Sequence, residues 1–228
     1  TATADFDGSN DYAIGGGLGA SQWDALFGNA GGSTEKMTFA FWIKRDVIDT
    51  GTTYYLFNIG NTDEIRAYFY NNALHFRADW DSGYLGWYEN ASAVHYQNND
   101  WIHVAITYDA SDGDNNPTLY LNGSVVPWTS FPGSGGTTYN GVTGFAGFNI
   151  GCDGSNANTF SGKFADFAVW NSILPVSEIK ALYLAKNGIY RQSELDVIQP
   201  GAVYDQLPSF HKINRNQRKV IKDVGKTP

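Results

Sequence analysis

Apolar and polar side chains alternate with a period of two over Thr38–Lys44 and again over Trp101–Tyr108. A strand with one buried face satisfies that spacing and a helix does not. Phe39, Phe41 and Ile43 share one face opposite Ala40, Trp42 and Lys44. Ile102, Val104, Ile106 and Tyr108 likewise oppose Trp101, His103, Ala105 and Thr107. Two hairpins follow from turn chemistry: Asn71-Asn72 joins Glu64–Tyr70 to Ala73–Asp79, and Asn122-Gly123 joins Thr118–Leu121 to Ser124–Pro127. Asn and Gly tolerate the positive φ angles that a two-residue turn requires.

Composition points the same way. The chain of 228 residues carries 7 Trp, 14 Tyr, 14 Phe and 26 Gly beside a single Met, a balance that favours strands and turns over long helices. Loops rich in Gly, Asn, Asp and Ser separate the strands at Gly15–Ser33, Ala110–Asn116, Pro132–Gly144 and Asp153–Ser161. Many strands without helix–strand alternation describe an all-β fold, a two-sheet antiparallel sandwich over residues 1–190. One short helix is expected on its rim. Pro175 sits at the first turn, Ser177 is placed to cap it, Ile179, Leu182, Tyr183 and Lys186 keep helical spacing, and Gly188 ends it. From about Arg191 the apolar residues thin out, so residues 191–228 read as a linker or docking tail. The Thr-Ala-Thr start and the basic end suggest a piece of a longer polypeptide.

Charge narrows the partners. Residues 1–190 hold eight basic against nineteen acidic side chains, and residues 191–228 hold seven against four. An acidic body argues against general nucleic-acid binding, which needs a basic surface. The cluster Arg215, Arg218, Lys219, Lys222 and Lys226 suits either an acidic neighbouring subunit or plain solvation. No stretch reaches the roughly 18–20 apolar residues of a membrane span, and no secretory leader opens the chain. The lone Cys152 excludes internal disulfides and CxxC redox chemistry, and His75, His95, His103 and His211 form no helical zinc pair.

Glycan binding needs aromatic surface against a sugar, with carboxylates or amides for its hydroxyls. Asp79–Tyr88 supplies both in one segment, with Trp80, Asp81, Tyr84, Trp87 and Tyr88 as ligand-binding candidates and Trp128 and Tyr139 in support. The competing reading makes these aromatics core and edge cover. A glycoside hydrolase needs two facing carboxylates, and Asp79 with Asp81 is the one tolerable pair, provided the strand continues through both. Acidic loops at Asp109–Asn116 and Asp153–Asn158 lack the EF-hand pattern and read as solvated turns. Asn90-Ala91-Ser92 and Asn122-Gly123-Ser124 match the glycosylation acceptor pattern, the second being better explained by its turn.

Five ordered motifs carry a family likeness: Phe6–Tyr12 (FDGSNDY), Met37–Lys44 (MTFAFWIK), Trp101–Asp109 (WIHVAITYD), Leu119–Ser124 (LYLNGS) and Phe160–Tyr183. Over residues 5–188 the chain resembles laminin-G-like domains of the concanavalin A-like superfamily. The resemblance implies a curved jelly-roll sandwich acting as a non-catalytic recognition or adhesion module for glycan or protein, displayed on an extracellular, cell-surface or virion structural protein. It also implies a structural Ca²⁺ held near Asp7 or Asp5 and by Asp166. Against that stands a reading in which Asp7 serves a turn and Asp166 accepts backbone N–H groups. The segment Leu207–Asn216 is similar to stretches that follow such domains in structural proteins of marine viruses. The rival role is purely structural, a decoration domain anchored through the basic tail.

Overall fold

The computed structural model describes residues 3–15, 27, 35–47, 51–60, 64–89, 99–131, 136–142 and 148–186. Thirteen strands are found among them: β1 (Thr3–Asp7), β2 (Ala13–Gly15), β3 (Lys36–Arg45), β4 (Thr53–Ile59), β5 (Ile65–Tyr70), β6 (Ala73–Trp80), β7 (Gly83–Glu89), β8 (Ile102–Asp109), β9 (Thr118–Leu121), β10 (Ser124–Val126), β11 (Trp128–Phe131), β12 (Phe148–Ile150) and β13 (Ser161–Trp170). They form a six-stranded sheet in the order β1-β13-β3-β8-β9-β10 and a seven-stranded sheet in the order β11-β7-β6-β5-β4-β12-β2. All the named strand pairs are antiparallel. The expected all-β sandwich is the fold.

The two alternating segments supply one wall of the core. Met37, Phe39, Phe41 and Ile43 of β3 and Ile102, Val104, Ile106 and Tyr108 of β8 face inward, against Phe57, Phe69, Leu74, Phe76 and Trp87 of the opposite sheet. Phe39 stacks on Phe57 with ring centroids 4.8 Å apart. Both hairpin turns take the expected conformation, with φ of 49° and 64° at Asn71 and Asn72, and 51° and 76° at Asn122 and Gly123. Pro127 separates β10, in one sheet, from β11, in the other, at the point where the chain crosses between layers. Proline has no N–H to give a ladder, so it marks where pairing with one sheet must stop.

The helix α1 (Val176–Lys186) starts where Pro175 predicts, the Pro175 carbonyl accepting the Glu178 and Ile179 N–H groups. Ser177, expected as the cap, lies one residue inside the helix. The helix also sits elsewhere than on the rim. It lies on the outer face of the six-stranded sheet, where Ile179 and Leu174 pack with Ala40, Ala105, Tyr120 and Trp170, and Tyr183 stacks on Trp42. Thr38 fixes the approach: its hydroxyl donates to the Ser172 carbonyl at 2.6 Å and accepts the Leu174 N–H at 3.0 Å. The middles of β3 and β8 are therefore buried on both faces, which is why the outward positions there are Thr38, Ala40 and Trp42, and His103, Ala105 and Thr107, while charged Lys36, Lys44 and Asp109 fall towards the strand ends. Residues 191–228 lie outside the described residues, as do Asn90 and Gly188.

Candidate functional site

With the centre of one sheet covered by α1, the broad face that the helix leaves open is the outer face of the seven-stranded sheet. Register builds it. Tyr55 of β4 pairs with Tyr68 of β5, Tyr68 with His75 of β6, and His75 with Tyr88 of β7. All four side chains are half-buried. Their rings form a continuous cross-strand ladder, with successive centroids 5.4, 5.0 and 5.6 Å apart and planes within 25° of parallel. Tyr70 adds an edge contact to His75 at 6.0 Å. Because neighbouring rings face one another, the ladder offers outward ring edges, phenolic hydroxyls and one imidazole rather than open ring faces.

Two residues further along the strands, roughly 7 Å away, runs a polar row. Asn149 of β12 pairs with Asn58 of β4, Asn58 with Arg66 of β5, Arg66 with Arg77 of β6, and Arg77 with Gly86 of β7. The Arg77 guanidinium lies over the Tyr84 ring, 3.1 Å from its centroid, and 3.8 Å from Asp79. Burial pushes His75 down to about 4, partly opposed by a hydrogen bond with the Tyr70 backbone, so its imidazole is neutral at physiological pH. Burial also raises the Tyr68 hydroxyl, against the pull of Arg66 and Arg77.

The expected ligand segment divides between the two faces of its sheet. Tyr84 and Tyr88 are on the outer face. Trp80 and Trp87 point inward and are each only 2% exposed, which corrects the expectation that they form a sugar platform. The Trp87 ring packs on Phe76 and Tyr108 and its indole N–H donates to Asn116 Oδ1 at 2.7 Å. Trp80 packs edge-on against the buried Tyr139, and Trp128 leans on the same core. Asp81 is a turn residue whose carboxylate accepts the Thr137 N–H at 3.0 Å. Three residues on the outer face, Tyr55, Tyr68 and His75, were absent from the expected set. Alternation in β5 and β6 places Arg66, Tyr68 and Tyr70 on one face, and His75 and Arg77 beside them.

The family model described as Concanavalin A-like lectin/glucanases superfamily matches residues 7–180. The chain belongs to that superfamily. The solved structures similar to the chain include toxin binding domains. The binding domain of botulinum neurotoxin DC in complex with SialylT aligns with a TM-score of 0.55 at 16% identity, covering 80% of this chain and 42% of that one. The binding domain of botulinum neurotoxin serotype G gives 0.48 at 16%, covering 66% and 36%. That of Paraclostridial Mosquitocidal Protein 1 gives 0.49 at 23%, covering 66% and 37%. This chain thus spans less than half the length of each of these neighbours, and the likeness to the first is one of fold. No curated protein sequence matches the chain.

Neither the calcium pair implied by the resemblance nor the carboxylate pair read from the sequence is assembled by the described residues. Asp7 pairs with Ser161, five positions before Asp166, so the two carboxylates are roughly 15 Å apart along the strands. Asp7 accepts the Ser9 N–H at 2.8 Å, the turn role, while Asp5 is ion-paired with Lys163. Asp166 occupies a β-bulge with φ of 52°, exposed rather than on an apolar face. The bulge shifts the alternation, turning Phe164 and Phe167 inward and Ala168 and Trp170 under α1. Asp7 and Asp166 therefore cannot share one ion. Nor do Asp79 and Asp81 share a strand face, since β6 ends at Trp80. Among the described residues no group of three His, Cys, Asp or Glu side chains is placed to hold a metal. The acidic loops are self-satisfied turns: Asp153 accepts the Ser155 and Ala157 N–H groups and the Asn158 amide, and Asp109 and Asp112 accept the N–H two residues on.

Proposed function

We propose that this domain is a non-catalytic binding module that recognises a glycan or a protein through the outer face of its seven-stranded sheet. The observation that carries the reading is the Tyr55–Tyr68–His75–Tyr88 ladder, half-exposed on the broad face that α1 leaves uncovered. Four large aromatic side chains on an outer sheet face exceed what that face needs for its own packing, and half-exposed tyrosines are characteristic contact residues at recognition surfaces. Use of the same fold in a toxin binding domain agrees with a recognition role. Display at an extracellular, cell-surface or virion exterior follows from that role.

The test is a glycan and surface-protein array probed with the 228-residue chain and with Tyr88→Ala. Binding by the wild type that falls at least tenfold in the variant, with an unchanged melting temperature, supports the face as the site. Binding that survives the substitution, or a blank array, overturns it.

A further inference from the structure

Tyr55 of β4 and Tyr68 of β5 are directly opposite partners on adjacent antiparallel strands. Opposite positions set the two Cβ atoms about 4.5–5.5 Å apart and send both side chains off the same face of the sheet. The two phenols accordingly stack, ring centroids 5.4 Å and planes 25° apart. Both are half-buried, so the solution still reaches them. Phenols that lie side by side and point the same way bring the ring carbons flanking each hydroxyl into neighbouring positions. Tyr70 and Tyr88 meet His75 instead, and that imidazole stands between Tyr88 and Tyr68.

The position of the pair along the strands adds a consequence. The β4–β5 register runs unbroken from Thr53–Tyr70 to Tyr55–Tyr68, then skips Leu56 and resumes at Phe57–Ala67. An irregularity of this kind interrupts the ladder of backbone hydrogen bonds. A covalent link from Tyr55 to Tyr68 would fix the two strands at the last regular pair before that break, and would enclose the whole β4–β5 connection in a loop. Closing a loop removes conformational freedom from the unfolded chain and so favours the folded one.

We propose that Tyr55 and Tyr68 form a site of oxidative modification, at which a one-electron oxidant joins the two rings into a dityrosine staple across β4 and β5. This goes beyond the recognition reading and holds whatever the face binds. Each phenol gives one electron to the oxidant and its hydroxyl proton to water. The two radicals join through a carbon–carbon bond between ring positions beside the hydroxyls, and the hydrogen displaced from each of those carbons moves to the phenolic oxygen, restoring both hydroxyls. The net loss is two hydrogen atoms, and two equivalents of the oxidant are each reduced by one electron. Because the fold already holds the rings together, the joining step is intramolecular, which favours this pair over tyrosyl radicals that must meet by diffusion.

The experiment is brief illumination of the dilute 228-residue chain with a ruthenium tris-bipyridyl photo-oxidant and persulfate, for wild type, Tyr55→Phe, Tyr68→Phe and Tyr88→Phe, and for wild type in urea. Products are separated by size exclusion and read by intact mass, dityrosine fluorescence and peptide mapping. The expected result is a monomer lighter by two hydrogen atoms, with Tyr55 and Tyr68 in one linked pair of peptides. Its yield falls at least roughly tenfold in Tyr55→Phe, in Tyr68→Phe and in urea, and stays at the wild-type level in Tyr88→Phe. The linked monomer melts several degrees above the unlinked one. Linkage of other tyrosines in the monomer, linkage only between molecules, or no loss of hydrogen overturns the assignment of the pair. An undiminished yield in urea overturns the role of the fold, by a comparison that depends on no variant. A linked monomer with an unchanged melting temperature overturns the staple.

Discussion

Tyr183 of α1 stacks on Trp42 of β3, ring centroids 5.7 Å and planes 27° apart, and also leans on His103 at 6.1 Å. This contact, with Ile179 in the satellite core, holds the helix on the six-stranded sheet. Tyr183→Ala is expected to lower stability by about 2 kcal/mol, the sum of lost burial and ring pairing. Tyr183→Phe keeps the ring and is expected to stay within about 0.5 kcal/mol. Urea unfolding of the two variants measures the difference, and equal midpoints would remove the helix from any role in closing that face.

The Asn122-Gly123 turn meets the same helix. Gly123 has φ of 76°, and a Cβ there would lie 3.2 Å from the Tyr183 ring. Asn122 Oδ1 accepts the His103 N–H at 3.0 Å. Gly123→Ala is therefore expected to cost about 1–2 kcal/mol through backbone strain, visible as a lower melting temperature. An unchanged melting temperature would mean the turn relaxes freely.

Acid should weaken the fold through His75. The unfolded imidazole protonates near its ordinary 6.5, the folded one only at about 4, because burial disfavours the charged form. Between those values the unfolded chain binds more protons, so stability falls as pH drops from 6.5 towards 4, by no more than about 3 kcal/mol from this group. His75→Gln is expected to flatten that part of the pH–stability curve. A variant with the wild-type slope would assign the acid sensitivity to other groups.

Buried tryptophans make a distinct prediction from exposed ones. Trp87→Ala removes a ring enclosed by Phe76 and Tyr108 and is expected to cost about 3–5 kcal/mol, a loss of folding rather than of ligand contact. Cys152 is buried too, its thiol pushed up to about 12 by desolvation and by Asp153. A disulfide reagent should label it slowly in the native protein and rapidly in urea. Fast native labelling would place the thiol at the surface.

Calcium is expected to leave the protein unmoved at Asp7 and Asp166, which lie too far apart along β1 and β13 to bind together. Any difference between melting curves in millimolar calcium and in EDTA should not be lost in both Asp7→Asn and Asp166→Asn. Loss in both variants would place the two carboxylates in one site.

Much of this architecture could be read from the chain itself, and the exceptions have specific causes. The Asn71-Asn72 turn fixes the β5–β6 register, so Tyr68 opposite His75 and Arg66 opposite Arg77 follow by counting outward from it. The Asp79–Tyr88 stretch misleads because its turn at Asp81-Ser82 has no Asn-Gly signature. Treated as one aromatic cluster, it hides that Trp80 and Trp87 alternate inward while Asp79, Tyr84 and Tyr88 alternate outward. Tyr55 joins the ladder only through an irregularity between Tyr55 and Phe57, and Asp166 leaves its expected face through another between Ala165 and Ala168. A bulge inserts one residue and reverses every later side chain, and no periodicity announces it. The helix position was equally hidden, since Ala40, Ala105 and Tyr120 read as an ordinary second strand face until something covers them.

The covering of one sheet by α1 gives the molecule a direction. The chain leaves the described fold at Lys186, on the helix side, with the tyrosine ladder on the far side of the sandwich. A support that gripped the domain by its helix face would hold it by its back and turn the ladder outward. Copies carried side by side on a common support would then all face the same way, the geometry in which weak single contacts combine into avidity that exceeds one site by about 10² or more.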